Sequence, residues 1–217
     1  DLHSFPTRRS SDLHIEALGY TYVPYLPGWE HMVRNLATVP VVSLGLGPIA
    51  GFGAAKVAQS HYSLLVRGLA QMFVAGPPVV AAVGQKVSKE ELGSSRIHAA
   101  NGAIDDEVAS EQEAFERTRC FLSYLPSSVY DLPPRGPIAD DTNRRDEFLV
   151  SAVPRDRREV YRMRPILEAV VDAGSFFEIG ARHGRSIITG LARLDGWPVA
   201  LIASDSFVIG GLWTAAS

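Results

Sequence analysis

The 217-residue sequence holds a single cysteine, Cys120. One thiol excludes an intramolecular disulfide and any Cys-rich zinc ribbon, and it suits a reducing cytoplasm. Lysine is scarce as well: three lysines stand against 18 arginines, which reads as codon bias before chemistry. Neither sign of charge dominates. Twenty-one basic and 24 acidic side chains leave −3, whereas a nucleic-acid binder carries a basic excess. The longest apolar stretch, Val39 to Ala58, is broken by Pro40, Pro48, Lys56 and four glycines, so it does not read as a membrane span. Three catalytic signatures are missing: G-x-x-x-x-G-K-[ST], G-x-S-x-G and H-E-x-x-H. With 46% hydrophobic and 21% charged residues, the chain has a globular composition.

One absence is local. From His31 to Lys89 there is no aspartate or glutamate, while Arg34, Lys56, Arg67, Lys86 and Lys89 give that stretch five positive charges. The plain expectation is a largely buried segment. The sharper one is a site for an anionic ligand, and both can hold together.

Within the stretch, Val39-Pro-Val-Val-Ser-Leu44 reads as a buried strand and Gly45 to Gly53 as a glycine loop. Ala54 to Ser60 opens a helix; His61 to Val66 and Gln71 to Ala75 are strands. Pro77 and Pro78 start a further helix through Val83, since proline is tolerated in a first turn. Strand, glycine loop, helix, strand is α/β logic. Asp105 to Leu125 reads as one helix, its acids at the N-terminal end of the dipole and Val108, Phe115, Thr118, Leu122 and Leu125 on one face. Cys120 falls on it among apolar neighbours, as a core residue.

Proline-rich residues 127–154 read as a linker and a domain boundary. Beyond it, a helix from Pro165 to Asp172 precedes a strand at Phe176 to Ile179. Strands Ser186 to Leu194 and Trp197 to Ala203 flank Asp195-Gly196, a strong hairpin signal.

Gly45-Leu-Gly-Pro-Ile-Ala50 matches the dinucleotide fingerprint in letter, but the acid expected about 20 residues on is missing. His61 and His98 read as structural. What remains is the glycine loop, whose backbone N–H groups can point at an oxyanion without any catalytic side chain. Close packing of helix on sheet explains the same glycines.

Taken whole, the pattern resembles a family. VPVVSLGLGPIAGFGA, residues 39–54, is similar to the V-P-x-I-S-x-x-x-G-P-C-A-G-G-A segment of the carboxyltransferase subunits of biotin-dependent acyl-CoA carboxylases. MFVAGPPVV, EELGSSRIHAANGAIDDE, FLSYLPSS, EVYRMRPILEAVVDAGSFFEI and GLARLDGWPVALIA continue the resemblance in order. It implies an α/β, crotonase-like ββα spiral: a partial first subdomain (14–126), the linker (127–154) and the start of a second subdomain (155–217).

The implied activity is transfer of a carboxyl group from carboxybiotin, borne on a separate carrier, to the α-carbon of an acyl-CoA. The implied partners are a biotin carboxylase and biotin carrier protein and further copies of the chain, with the site at a dimer interface within a ring hexamer. Neither metal, nucleic acid nor membrane is implied, and the place is the cytoplasm. By motif match, the amides of Gly51 and Phe52 form an oxyanion hole, while Gly47, Ala50 and Gly53 line the acyl-CoA and biotin loop. Phe52 stands where the family's second glycine is usual, Ile49 where cysteine is common, and Asn101 and Asp105 replace a serine and a histidine. The alternatives are a crotonase-like enoyl-CoA hydratase or isomerase, and a non-catalytic CoA-binding scaffold.

Residues 1–13, DLHSFPTRRSSDL, resemble the translation of a sequencing-library adapter, so they are expected to be foreign to the fold. Two further anion-stabilising loops of the family have no counterpart in this sequence, so the 217 residues are expected to be a fragment and inactive alone.

Overall fold

A computed structural model describes residues 28–215 apart from 139 and 142. The adapter-like residues 1–13 lie outside the described residues. The chain divides into two compact units, 1–35 and 36–217. The described part of the first consists of Gly28 and most of helix α1 (Trp29–Leu36), which carries Glu30 in its first turn and Arg34 in its last, as the helix dipole favours.

The second unit is built around β3 (Tyr62–Val66), whose five residues are all buried. β3 is the middle strand of a parallel sheet, with β1 (Val42–Gly45) on one side and β5 (Asp106–Val108) on the other. Parallel neighbours need crossovers, and the helices supply them. β2 (Ile49–Ala50) and α2 (Phe52–Gln59) connect β1 to β3. After β4 (Met72–Phe73), the helices α3 (Pro77–Ala82), α4 (Lys89–Gly93) and α5 (Ser95–Asn101) lead from β3 to β5. β2 and β4 pair in parallel as a small separate sheet.

Alternation along β3 divides the core in two. Tyr62, Leu64 and Val66 face Val108, Phe121, Tyr124 and Phe177. Leu65, from the opposite face, joins Ala54, Val57, Met72, Ala99 and Ile104. The first cluster brings together residues from both sides of 127–154. That segment crosses the surface, and its described residues hold one 3-10 turn, Glu147–Val150, as their regular structure.

The long helix expected over 105–125 is two elements. Asp106 to Val108 pair with β3, and α6 (Glu111–Ser123) starts only after Ser110. The Ser110 hydroxyl accepts from the Glu113 N–H at 3.2 Å, and the Glu113 carboxylate accepts from the Ala109 N–H at 2.7 Å, a capping arrangement that fixes the start. Ala114 and Phe121 form the buried side of α6, whereas Phe115 and Leu122 are exposed. Burial of the acid-free segment is also only partial: Val74 is 87% exposed and Val83 76%.

α7 (Met163–Val170) precedes an antiparallel sheet of β6 (Phe177–Ile179), β7 (Ile187–Leu194) and β8 (Trp197–Ser204). The hairpin falls at Asp195-Gly196, both at positive φ (51° and 77°), the mirror-image turn that suits twisted strands. The Asp172 carboxylate accepts from both turn amides, at 2.9 and 2.7 Å.

Candidate active site and anion-binding turns

The glycine loop links the two parallel sheets. Gly45 closes β1 against Leu65: a Cβ there would lie 1.9 Å from Leu65 Cδ2, so the residue must be glycine for this approach. Gly47 is open, with nothing within 4 Å of the Cβ position. Ile49 and Ala50 then pair with Met72 and Phe73. Gly51 caps α2 at φ 61°, ψ −125°, a conformation that L side chains avoid. Phe52 and Gly53 are the first two residues of α2. The Phe52 ring is 43% exposed, with Lys56 Nζ 5.0 Å from its centroid.

The five residues singled out from sequence thus lie on one short path. Their roles separate. The Gly51 N–H donates to the carbonyl oxygens of Phe73 (3.0 Å) and Val74 (3.1 Å), so it belongs to the β2–β4 junction. Its own carbonyl accepts from Ala54 and Ala55 and starts the helix. Residues 45–53 include no ionisable side chain, so the turn itself can offer only backbone donors and the positive end of an eight-residue helix.

The cations of the acid-free segment do not act as a set. Lys56 lies over Phe52, Lys86 borders a cavity with Pro77 and Pro78, and Arg67 is held by Glu107 at 2.6 Å. His61 and His98 are structural. His61 Nδ1 accepts from the Val41 N–H at 3.0 Å, and His98 Nε2 donates to the Met72 carbonyl at 2.5 Å.

Sequence reasoning missed the roles of Asp105 and of the two acids of β5 that follow it. Asp105 accepts from the Ser63 N–H (2.8 Å) and hydroxyl (2.9 Å), yet burial, reinforced by the charge of Asp106, raises its carboxyl above the ordinary range. Asp106 accepts from Tyr62 and Arg117, each at 2.6 Å. Glu107, its side chain 1% exposed, holds Arg67, Arg182 and the Ser95 hydroxyl. Three successive acids were legible; their strand, and therefore their partners, were not. Among the described residues, no group of three or more His, Cys, Asp or Glu is placed to hold a metal ion. Among them, too, no helix is long and apolar enough to cross a membrane.

Against known proteins, the sequence profile of the carboxyl transferase domain matches residues 30–217. The chain belongs to the carboxyl transferase domain family. Relatives of this carboxyl transferase domain include the propionyl-CoA carboxylase beta chain of Roseobacter denitrificans, 33% identical over 84% of this chain and 37% of that protein. Another is the biotin-dependent long chain acyl-coenzyme A carboxylase beta4 subunit of Mycobacterium tuberculosis, 36% identical over 80% of this chain and 34% of that one. In structure it is similar to the 12S transcarboxylase solved with hydrolysed methylmalonyl-coenzyme A bound. The TM-score is 0.77 at 26% identity, covering 82% of this chain and 36% of that one. The mixed α/β fold is thus that of the carboxyltransferases, crotonase-like. The chain spans about a third of the length of these relatives.

Proposed function

We propose that this carboxyl transferase domain is part of an enzyme that moves a carboxyl group between carboxybiotin and the α-carbon of an acyl-CoA. The observation that carries the reading is the family match over residues 30–217, joined to relatives that are acyl-CoA carboxylase beta chains. The reaction needs an enolate stabilised and a proton removed. The glycine turn suits the first task and has no side chain for the second. When bound, carboxybiotin supplies the carboxyl group and the nitrogen base that the turn lacks.

The turn's part is electrostatic. First-turn amides of a helix have no partner within it, and they point at whatever lies before its N-terminus. Because the Gly51 N–H is engaged with Phe73 and Val74, the donor role passes along the chain to the Gly53 N–H, second in α2. Gly47 and Ala50 leave room for a thioester to approach backbone. Phe52, in place of a second glycine, sets an apolar ring beside the turn and narrows the choice of acyl group. The partners in this reading are a biotin carrier, its carboxylase and further copies of the chain, with the subdomain division at 127–154 and a cytoplasmic setting.

Label transfer tests the reading. The complete reading frame containing these residues, supplied with a carboxylated biotin carrier, should pass labelled carboxylate to acyl-CoA. A frame that instead hydrates an enoyl-CoA, or labels no acyl-CoA, contradicts it.

A further inference from the structure

A second feature lies away from the glycine turn. Arg67, just after β3, donates from Nε to Glu107 Oε1 at 2.6 Å. Arg182, from the loop between β6 and β7, approaches the same oxygen at 3.2 Å through a terminal nitrogen. Ser95 Oγ donates to the other oxygen, Oε2, at 2.9 Å. Both Glu107 oxygens are therefore engaged, and at 1% exposure the side chain cannot swing out. It is an anchor that holds two guanidinium groups side by side.

The two arginines are not buried with it. Their side chains are 58% and 43% exposed, and both line a cleft of about 770 Å³. Each guanidinium has five N–H donors, and Glu107 engages one from each, so a planar fork remains available on both. The cleft lining carries three arginines and three glutamates, so recognition there rests on the two exposed guanidinium forks and not on net charge. Arg96 borders the same cleft, and Gly68, at φ +71°, has nothing within 4 Å of its Cβ position, so backbone can be approached closely there. The acids facing the cleft besides Glu107 are Glu90 and Glu91. Glu90 accepts from Gln71 Nε2, and Glu91 folds back onto the Ser88 N–H (2.9 Å) and hydroxyl (2.7 Å).

We propose that the Arg67–Arg182 pair, pinned by Glu107, is a binding site for a dianionic phosphate group. Two convergent guanidinium groups match a dianion that presents several oxygens, better than they match a single carboxylate. The residues lie outside the glycine turn, so binding of free phosphate stands apart from the carboxyl-transfer reading, whereas binding of the coenzyme A phosphate rests on it. Two sources share the chemistry, inorganic phosphate and the 3′-phosphate of coenzyme A.

Calorimetry on the 217-residue chain tests it, with inorganic phosphate, coenzyme A and 3′-dephospho-coenzyme A as titrants. Phosphate should bind, more weakly at high salt. R67Q and R182Q should each weaken it about tenfold or more, the loss expected for a charge-assisted hydrogen bond. E107Q keeps an acceptor for both arginines but removes the negative charge, so it should tighten binding severalfold. A purely structural Glu107 cluster would not produce that opposite sign. Tighter binding of coenzyme A than of its dephospho form, in competition with phosphate, identifies the 3′-phosphate as the source; equal binding identifies free phosphate. No phosphate binding by the parent chain, or binding indifferent to R182Q, overturns the proposal. R182Q sits on an exposed loop, so circular dichroism of that variant separates lost binding from lost fold.

Discussion

Arg117 on α6 and Asp106 on β5 form an ion pair at 2.6 Å, set against the most buried strand of the molecule. The same guanidinium donates from Nε to the Tyr62 hydroxyl at 2.9 Å and from Nη2 to the Glu178 carbonyl at 2.9 Å, with its Cζ 4.4 Å from the centre of the Phe177 ring. Burial, then the Asp106 charge, holds the Tyr62 hydroxyl far above its ordinary pKa, so it stays a donor. One cation thus connects residues 62, 106 and 178, which are distant in sequence.

Removing that cation should leave Asp106 uncompensated. R117M is expected to lose about 3 kcal/mol of unfolding free energy, in the range for breaking a buried pair. Adding D106N and Y62F to R117M should recover much of the loss, because the desolvation cost disappears with the charges. Urea titration of the single and triple variants measures both. A triple variant no more stable than R117M would place the energy elsewhere.

Asp105 predicts a pH dependence. Burial raises its carboxyl above the ordinary aspartate range, despite two hydrogen bonds from Ser63. A raised value means that the folded state binds the proton more tightly than the unfolded state does. Stability contributed by this group therefore grows as pH falls from neutrality toward 3.8 and is lost as pH rises. Other carboxylates titrate in the same range, so the difference between the parent and D105N isolates it. The parent should gain on D105N as pH falls; a constant difference would contradict the assignment.

Gly93 tests a packing contact. A Cβ there would lie 2.0 Å from the Met72 carbonyl oxygen, which also accepts from His98. Backbone cannot yield as a side chain can, so G93A should cost roughly 1–3 kcal/mol, the range for overpacking. Thermal unfolding reads this directly. A melting temperature equal to the parent's would show that β4 and α4 move apart at little cost.

How much was legible beforehand follows from where the physics is local. The β3 strand, the proline-led α3 and the Asp195-Gly196 hairpin carry their instructions within a few residues, and each stands where pattern and turn chemistry put it. The acids 105–107 do not. As a helix N-terminus they satisfy a dipole; as a strand they satisfy Ser63, Arg117, Arg67 and Arg182, partners up to 75 residues away that no local pattern shows. The Ser110–Glu113 spacing was the available signal that the helix starts later. In the glycine turn, residue types gave the backbone path but not which amides are already engaged. Only the strand pairing beyond it shows the Gly51 N–H engaged with Phe73 and Val74.

Under the proposed function, backbone donors at the head of α2 stabilise the enolate. Gly53→Pro removes one such N–H at the second position of the helix, a position that Pro78 already holds in α3. Gly53→Ala keeps the N–H and adds a Cβ 3.1 Å from Ile49 Cγ2, and so controls for crowding. In the complete reading frame, G53P is expected to lower kcat for carboxyl transfer about 10²–10³-fold below G53A, with KM for acyl-CoA little changed. Equal kcat for the two variants, with α2 intact by circular dichroism, would contradict the claim.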